Sequence, residues 1–410
     1  MFLENRFEHE MHRIGRIAPV PLRVELWDGR RFDLSAKPTV TIGIPRRSAL
    51  QYFISPDLNK LGEAFVEGHI RVDGPIKEVF KVAESLARAL ASSTRSGWHR
   101  LFRHSRETDR KAIQYHYDVS NEFYSLFLDR EMVYSCAYYG NGNESLDTAQ
   151  SRKLDHILRK LALKPGEKFL DIGCGWGALI VRAARDYGAT ATGVTLSENQ
   201  YLLARGRIDK EGLQDRCEVR LCDYRDLEGE YDKIASVGMF EHVGLKNLPV
   251  YFGKIRSLLK NDGLVLNHGI TTSNVDNRPM QLGAGDFIDR YVFPDGELPH
   301  LSLVTAEMAK AGLEVADVES LRRHYARTCE EWAGRLDARR EKAAAVAGER
   351  RARIWRVYLA GCAYGFANGW MNLYQVLGCN AAGRNPLPLT RDYVYRESPL
   401  SRSTDPTLSG

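Results

Sequence analysis

With 410 residues, 43% of them hydrophobic and 27% charged, the chain holds enough apolar material for two or three domains around a real core. A formal net charge of +5 over that length is too mild to mark a nucleic-acid-binding protein. The seven cysteines (Cys136, Cys174, Cys217, Cys222, Cys329, Cys362, Cys379) form no C-x-x-C and no Cys/His zinc spacing, which argues against a disulfide framework or a metal site and for free thiols in a reducing cytosol.

The chain opens on MFLENRFEHEMHRIGRI, charged throughout and without the apolar core of a signal peptide. No stretch reaches 18 apolar residues, so no transmembrane helix is expected. Residues 20 to 53 alternate as strands do, and Asp28-Gly29 between VPLRVELW and RRFDL signals a hairpin. LNKLGEAFVEGHIRVDG adds two short segments split by Gly68 and Gly74, and IKEVFKVAESLARALA has apolar residues at helical spacing. Residues 1–92 therefore read as a small α+β domain. Residues 93–112, with Arg95, Arg100, Arg103, Arg106, Arg110 and Lys111 around Trp98, Leu101 and Phe102, read as a basic linker: either solvated, or a basic-aromatic strip for anionic lipid.

From about residue 166 strands and helices alternate. KFLDIG, TATGVTL, EVRLCDY, DKIASVG and LVLNHGI are apolar strands; LIVRAARDYG, ENQYLLARGRIDKEG and LPVYFGKIRSLLKNDG are helical connections. This predicts an α/β fold with a doubly wound, mainly parallel sheet. Beyond 330 runs a long basic helical stretch, solvated or membrane-facing. Residues 113–382 make the catalytic domain, and 383–410 a polar, proline-containing tail.

LDIGCGWGAL places Asp171, Gly173, Gly175 and Gly177 at the end of the first strand, where glycines let the backbone turn sharply beside a ligand. This D-x-G-x-G-x-G resembles the first motif of class I S-adenosylmethionine-dependent methyltransferases more than a dinucleotide site. The second strand ends GVTLSENQ, so Thr195 stands where an acid commonly binds ribose, with Gln200 as a further donor. The third ends CDYRD, putting Asp223 and Tyr224 near the adenine. Strand four delivers Glu241 and His242, and strand five His268: a carboxylate and an imidazole converging where the methyl group belongs.

YHYDVSNEFYSLFLDREMVYSCAYY, LDIGCGWGALI, GVTLSENQ, DYRDL, SVGMFEHVG and YVFPDGELP, in that order from about 113 to 378, resemble the cyclopropane-fatty-acyl-phospholipid synthases and the related mycolic acid cyclopropane synthases. The first hundred residues resemble, less strongly, the lipid-carrier-like N-terminal domain of the bacterial enzymes. The resemblance implies that Cys136, in YSCAY, is neither nucleophile nor metal ligand. It would line a bicarbonate site with Glu241, His268, the Ile270 backbone and Tyr325, while Tyr134 and Ser135 touch the cofactor. S-adenosylmethionine would methylate the cis double bond of an unsaturated acyl chain in a membrane phospholipid, and bound bicarbonate would take a proton so that a cyclopropane ring closes. His268 and the Ile270 amide would donate to the ion, and Glu241 would accept its O–H. Tyr291, Phe293, Tyr325 and the HYDVSNEFY aromatics are candidates to face the carbocation.

Such an enzyme is expected in the cytoplasm, on the inner face of the membrane, attracted by the basic segments 95–111 and 335–356. A dimer through the N-terminal domain is what the resemblance suggests. The alternatives are a family member that stops at a methylene or methyl branch, a soluble small-molecule N- or O-methyltransferase, and a non-catalytic lipid carrier.

Overall fold

Gly29, at φ +86°, closes the expected hairpin between β1 (Leu22–Leu26) and β2 (Arg31–Asp33). The structure is a computed structural model and describes residues 2–17, 19–54, 58–90, 120–276 and 297–395. Strand β3 (Val40–Ile44) pairs parallel to β1, and β4 (Arg71–Asp73) pairs antiparallel to β3, giving a four-stranded sheet in the order β2-β1-β3-β4.

The charged opening segment is a helix, Phe2–Ile17. Its buried residues, Phe7, Met11 and Ile14, recur every three to four positions, so one stripe enters the core while the charges face water. Phe7 meets the edges of Phe32 and Phe53 at 5.4 and 5.9 Å. LNKLGEAFVEGHIRVDG resolves into the helix Leu58–Val66 and β4, and the predicted helix spans Ile76–Leu90.

The chain divides into two compact units. One takes the described residues up to 90 together with Cys329–Asn368, including the helices Arg340–Ala347 and Glu349–Ala367. The basic run beyond 330 is thus largely helical, and it groups with the N-terminal sheet rather than with residues 297–328 that precede it.

The other unit takes 120–276, 297–328 and 369–395. Its seven-stranded sheet contains β5 (Lys168–Ile172), β6 (Thr190–Thr195), β7 (Cys217–Leu221), β8 (Tyr231–Val237), β9 (Leu259–Thr272), β10 (Leu313–Ser320) and β11 (Met371–Asn380), in the order β10-β11-β9-β8-β5-β6-β7. The five predicted strands run parallel, and β11 lies antiparallel between β9 and β10. The helix predicted over LPVYFGKIRSLLKNDG ends at Leu258, and its last residues begin β9 instead. Leu170, Ile234, Leu264 and Leu266 are fully buried, as continuous apolar strands covered on both faces must be. The strand order reverses at β5, between β6 and β8, and in such sheets ligands bind outside the carboxyl ends at that point. All seven cysteines are free thiols. Among the described residues no helix is long and apolar enough to cross a membrane.

Candidate active site

One cavity at that switch point is lined by Tyr134, Ser135, Asp171, Gly173, Gly175, Thr195, Gln200, Asp223 and Tyr224, all nine of the cofactor residues proposed from the sequence. After β5 the chain turns with Gly173, Gly175 and Gly177 at φ +80°, +54° and +84°, a region that L side chains rarely enter. Gly177 caps the helix Ala178–Tyr187, and a Cβ on it would press on Ala204 at 2.9 Å. A Cβ on Gly175 would meet nothing within 4 Å, so the turn leaves space beside its backbone.

Several of these side chains are committed to one another. Thr195 donates its hydroxyl proton to Gln200 Oε1 at 2.7 Å and accepts from the Ser197 amide, which leaves the Gln200 NH₂ as the donor this strand end can offer. Asp223 is gripped by the Arg225 fork at 2.9 and 2.7 Å. Tyr134 packs against Tyr124 (5.5 Å between centroids), which in turn meets the Trp176 ring at 5.0 Å. Tyr134 and Trp176 both line the cavity, which therefore has aromatic faces.

A charged residue absent from the sequence-based set sits in the same wall. Lys153, on the helix Leu146–Lys160, is fully buried and donates to Ser135 Oγ at 2.9 Å. Burial lowers it to about 8, opposed by Asp129, Cys136 and Asp171. Burial also raises Asp171 to about 7, with Lys153 opposing, and Asp171 Oδ1 has no partner among the described residues. A buried carboxylate with a buried ammonium beside it matches the amino-acid end of S-adenosylmethionine, which carries an ammonium and a carboxylate. On that test the residues fit the cofactor.

The other five proposed residues lie outside the cavity lining. The Ile270 amide donates to Glu241 Oε1 at 2.6 Å. Burial raises Glu241 to about 7, against the pull of that amide, and Glu241 Oε2 is buried without a partner among the described residues. His268, two residues before Ile270 on β9, is buried and held well below the usual imidazole value, first by burial and then by Lys153 and Lys160. It is therefore neutral. Gln375, its cross-strand neighbour on β11, stands 3.2 Å from Nδ1. With the carboxamide in this orientation its NH₂ donates to Nδ1, so the ring proton is on Nε2, itself buried and unpartnered among the described residues.

Cys136 is fully buried, and burial raises its thiol far above the range in which a thiolate forms. Its Sγ faces the carbonyls of Ala137 and Leu321. Leu321 also accepts from the Tyr325 amide and donates to Leu373, which sits opposite Ile270 in the β9–β11 register. Four of the five are thus linked, Cys136 and Tyr325 to Leu321, Leu321 to Leu373, Leu373 to Ile270 and Ile270 to Glu241, and His268 stands two residues before Ile270 on β9.

The Ile270 amide, expected to donate to an anion, donates to Glu241 Oε1 in this structure. Tyr291 and Phe293 lie outside the described residues, as do the linker arginines 95–110, His116 and Tyr117 of the HYDVSNEFY segment and the tail beyond 395.

Residues 104–376, more than half of the chain, match the family model described as mycolic acid cyclopropane synthetase. The chain belongs to the mycolic acid cyclopropane synthetase family. A second model, a domain of unknown function, matches residues 11–95. A "Probable fatty acid methyltransferase" of Pseudomonas putida is 50% identical over 92% of this chain and 97% of its own length. A protein of the same name from Mycobacterium tuberculosis is 36% identical over 90% of this chain and 94% of its own. The solved mycolic acid cyclopropane synthase CmaA1, complexed with SAH and CTAB, is 34% identical with a TM-score of 0.63, covering 66% of this chain and 97% of that one.

This member of the cyclopropane synthetase family is an S-adenosylmethionine-dependent methyltransferase with the class I fold. Lys153, Gln150 and Gln375 are what sequence reasoning missed. Gln150, fully buried, donates to the carbonyls of Val133 and Ser135 and so holds the Tyr134–Ser135 stretch in place. A lysine and a glutamine on the inward stripe of a helix were the available signal for Lys153 and Gln150. Gln375, in the unpredicted β11, carried none.

Proposed function

We propose that the protein methylates the cis double bond of an unsaturated acyl chain in membrane phospholipids and then closes a cyclopropane ring, with bicarbonate as the proton acceptor. The observation that carries this reading is the pair of buried groups with unpartnered polar atoms, Glu241 Oε2 and His268 Nε2, beside an S-adenosylmethionine cavity. Bound there, bicarbonate supplies a small base shielded from water. His268 donates from Nε2, and Glu241, protonated below about 7, donates from Oε2, so an anion meets two donors and no like charge. This replaces the expected acceptor role of Glu241.

The sulfonium methyl goes to one alkene carbon, and S-adenosylhomocysteine leaves. The other carbon becomes a cation, the new methyl loses a proton, and the released electron pair closes the ring. The chain's own contribution is alignment, aromatic faces from Tyr134 and Trp176 for positive charge, and exclusion of water. In this reading the enzyme works at the inner face of the cytoplasmic membrane without spanning it.

A second reading stops at a methyl or methylene branch. It is favoured by the two near-full-length relatives named fatty acid methyltransferases. One experiment separates the two. Purified protein, S-adenosylmethionine, bicarbonate and vesicles with one cis double bond per chain are incubated, and the fatty acid methyl esters are analysed by gas chromatography and mass spectrometry. A product one CH₂ heavier that co-elutes with a cyclopropane standard supports ring closure. Co-elution with a branched standard supports the second reading, and no product overturns both.

A further inference from the structure

The unit built from the N-terminal residues and 329–368 holds a cavity of about 800 Å³, within the size range of small-molecule sites. One wall comes from residues 45–73 and the other from the helical stretch 336–356. Its charged lining falls into two groups. Glu67, Arg353 and Arg356 are matched internally: Glu67 to Arg350 at 2.9 Å, Arg353 to Glu349 at 3.4 Å, and Arg356 to Asp337 at 2.6 Å. Arg46, Arg71 and Arg340 have no ion pair or side-chain hydrogen bond among the described residues, and neither do Asp73 and Glu341, which line the same space.

Arg71 lies across Gly43, its partner in the β3–β4 register, and a Cβ on that glycine would stand 3.4 Å from Arg71 Nε, so the absent side chain leaves the arginine room to lie over the strand. Arg46 follows by two residues the end of β3, the strand that pairs with Arg71's β4. Tyr52 and His69 stack on one another at 5.8 Å and add an aromatic surface to the wall.

Three unmatched guanidinium groups against two unmatched carboxylates leave a surplus of one positive charge. That surplus suits a singly charged anion and repays the cavity poorly for a polyanion such as nucleic acid. Guanidinium forks are shaped for phosphate oxygens. The two carboxylates and the stacked rings suit the hydroxyls or ammonium that a phosphodiester carries on its other arm. We propose that this cavity is a binding site for a small phosphate ester, with Arg46, Arg71 and Arg340 holding the phosphate. A lipid headgroup and a free phosphate ester share this chemistry. The proposal is read by binding and stands apart from the methyl-transfer reading.

The test uses the full-length protein and four probes: inorganic phosphate and glycerophosphoethanolamine by calorimetry, and phosphatidylglycerol and phosphatidylethanolamine vesicles by flotation. Each is compared across wild type, Arg71→Gln, Arg340→Gln, and Lys37→Gln, an exposed charge of the same unit outside the cavity that controls for net charge. The expected result is saturable binding weakened at least tenfold by Arg71→Gln and Arg340→Gln and unchanged by Lys37→Gln. The soluble probes showing this point to a free ester, and vesicles alone showing it point to a lipid headgroup. No binding of any probe, or equal weakening by Lys37→Gln, overturns the proposal. Because the two arginines hold no internal partner, their loss leaves the fold intact, which a thermal melt verifies.

Discussion

The Ile270 amide and the Glu241 carboxylate meet at 2.6 Å, and a glycine between them and His268 makes that meeting possible. Gly269 lies under the Phe240 ring, and a Cβ there would run into the ring atoms. The loop carrying Phe240 and Glu241 can therefore settle onto β9 only because residue 269 has no side chain. Gly269→Ala should push that loop away, break the Glu241–Ile270 bond and abolish product formation, with a loss of about 2 to 4 kcal/mol in denaturant unfolding. Unchanged activity would show that the close approach is dispensable.

Glu241→Gln keeps the shape and an acceptor for the Ile270 amide but removes the titrating proton. Turnover should hold near pH 6 and, unlike that of wild type, persist at pH 8, because the carboxamide NH₂ supplies at every pH the donor that the carboxyl offers only when protonated. Affinity for S-adenosylmethionine should hardly change, since Glu241 does not line that cavity. Calorimetry beside initial rates at both pH values checks this; a variant whose pH profile matches that of wild type would remove Glu241 from the anion site.

The same variant should reveal a pH dependence of stability. Burial raises Glu241 from 4.5 to about 7, so between those values the folded protein holds a proton that the unfolded chain has released. That proton-linked stability is full below about pH 4.5 and is lost as pH rises through 7. Glu241→Gln has no such loss. Relative to wild type, the variant should gain stability from pH 5 to pH 8, on the order of 3 kcal/mol at most. Because only the difference is read, the opposing contribution of neutral His268 cancels. Melting curves at four pH values suffice.

Lys153→Met should weaken S-adenosylmethionine binding at least tenfold and destabilise the protein by about 3 kcal/mol, because Asp171 and Asp129 would lose the cation that opposes their burial. Lys153→Arg should restore little, as a fully buried site has no room for the larger head. Binding isotherms of both variants decide this.

Alkylation should find Cys222 before any other thiol. It is the one half-buried cysteine and lines the cofactor cavity, whereas Cys136 is sealed with its thiol protonated. Iodoacetamide labelling followed by peptide mass spectrometry should show Cys222 modified first and protected by S-adenosylhomocysteine. Early labelling of Cys136 would contradict its burial.

The glycine turn, the alternating strands and helices, and the carboxylate and imidazole at two strand ends were legible in the sequence because each depends on neighbours within a dozen residues. All nine cofactor residues proposed that way line one cavity. What escaped depends on distant pairing. β11 begins 99 positions after β9 ends, yet it brings Gln375 to His268 and Leu373 to Ile270. The segment 329–368 is helical by its own pattern, but only long-range packing groups it with the N-terminal sheet and so forms the arginine-lined cavity. Local periodicity names the elements and the residues at their ends. Burial, which sets the protonation of Glu241, His268 and Lys153, is a property of the assembled core, and only the tertiary structure could decide it.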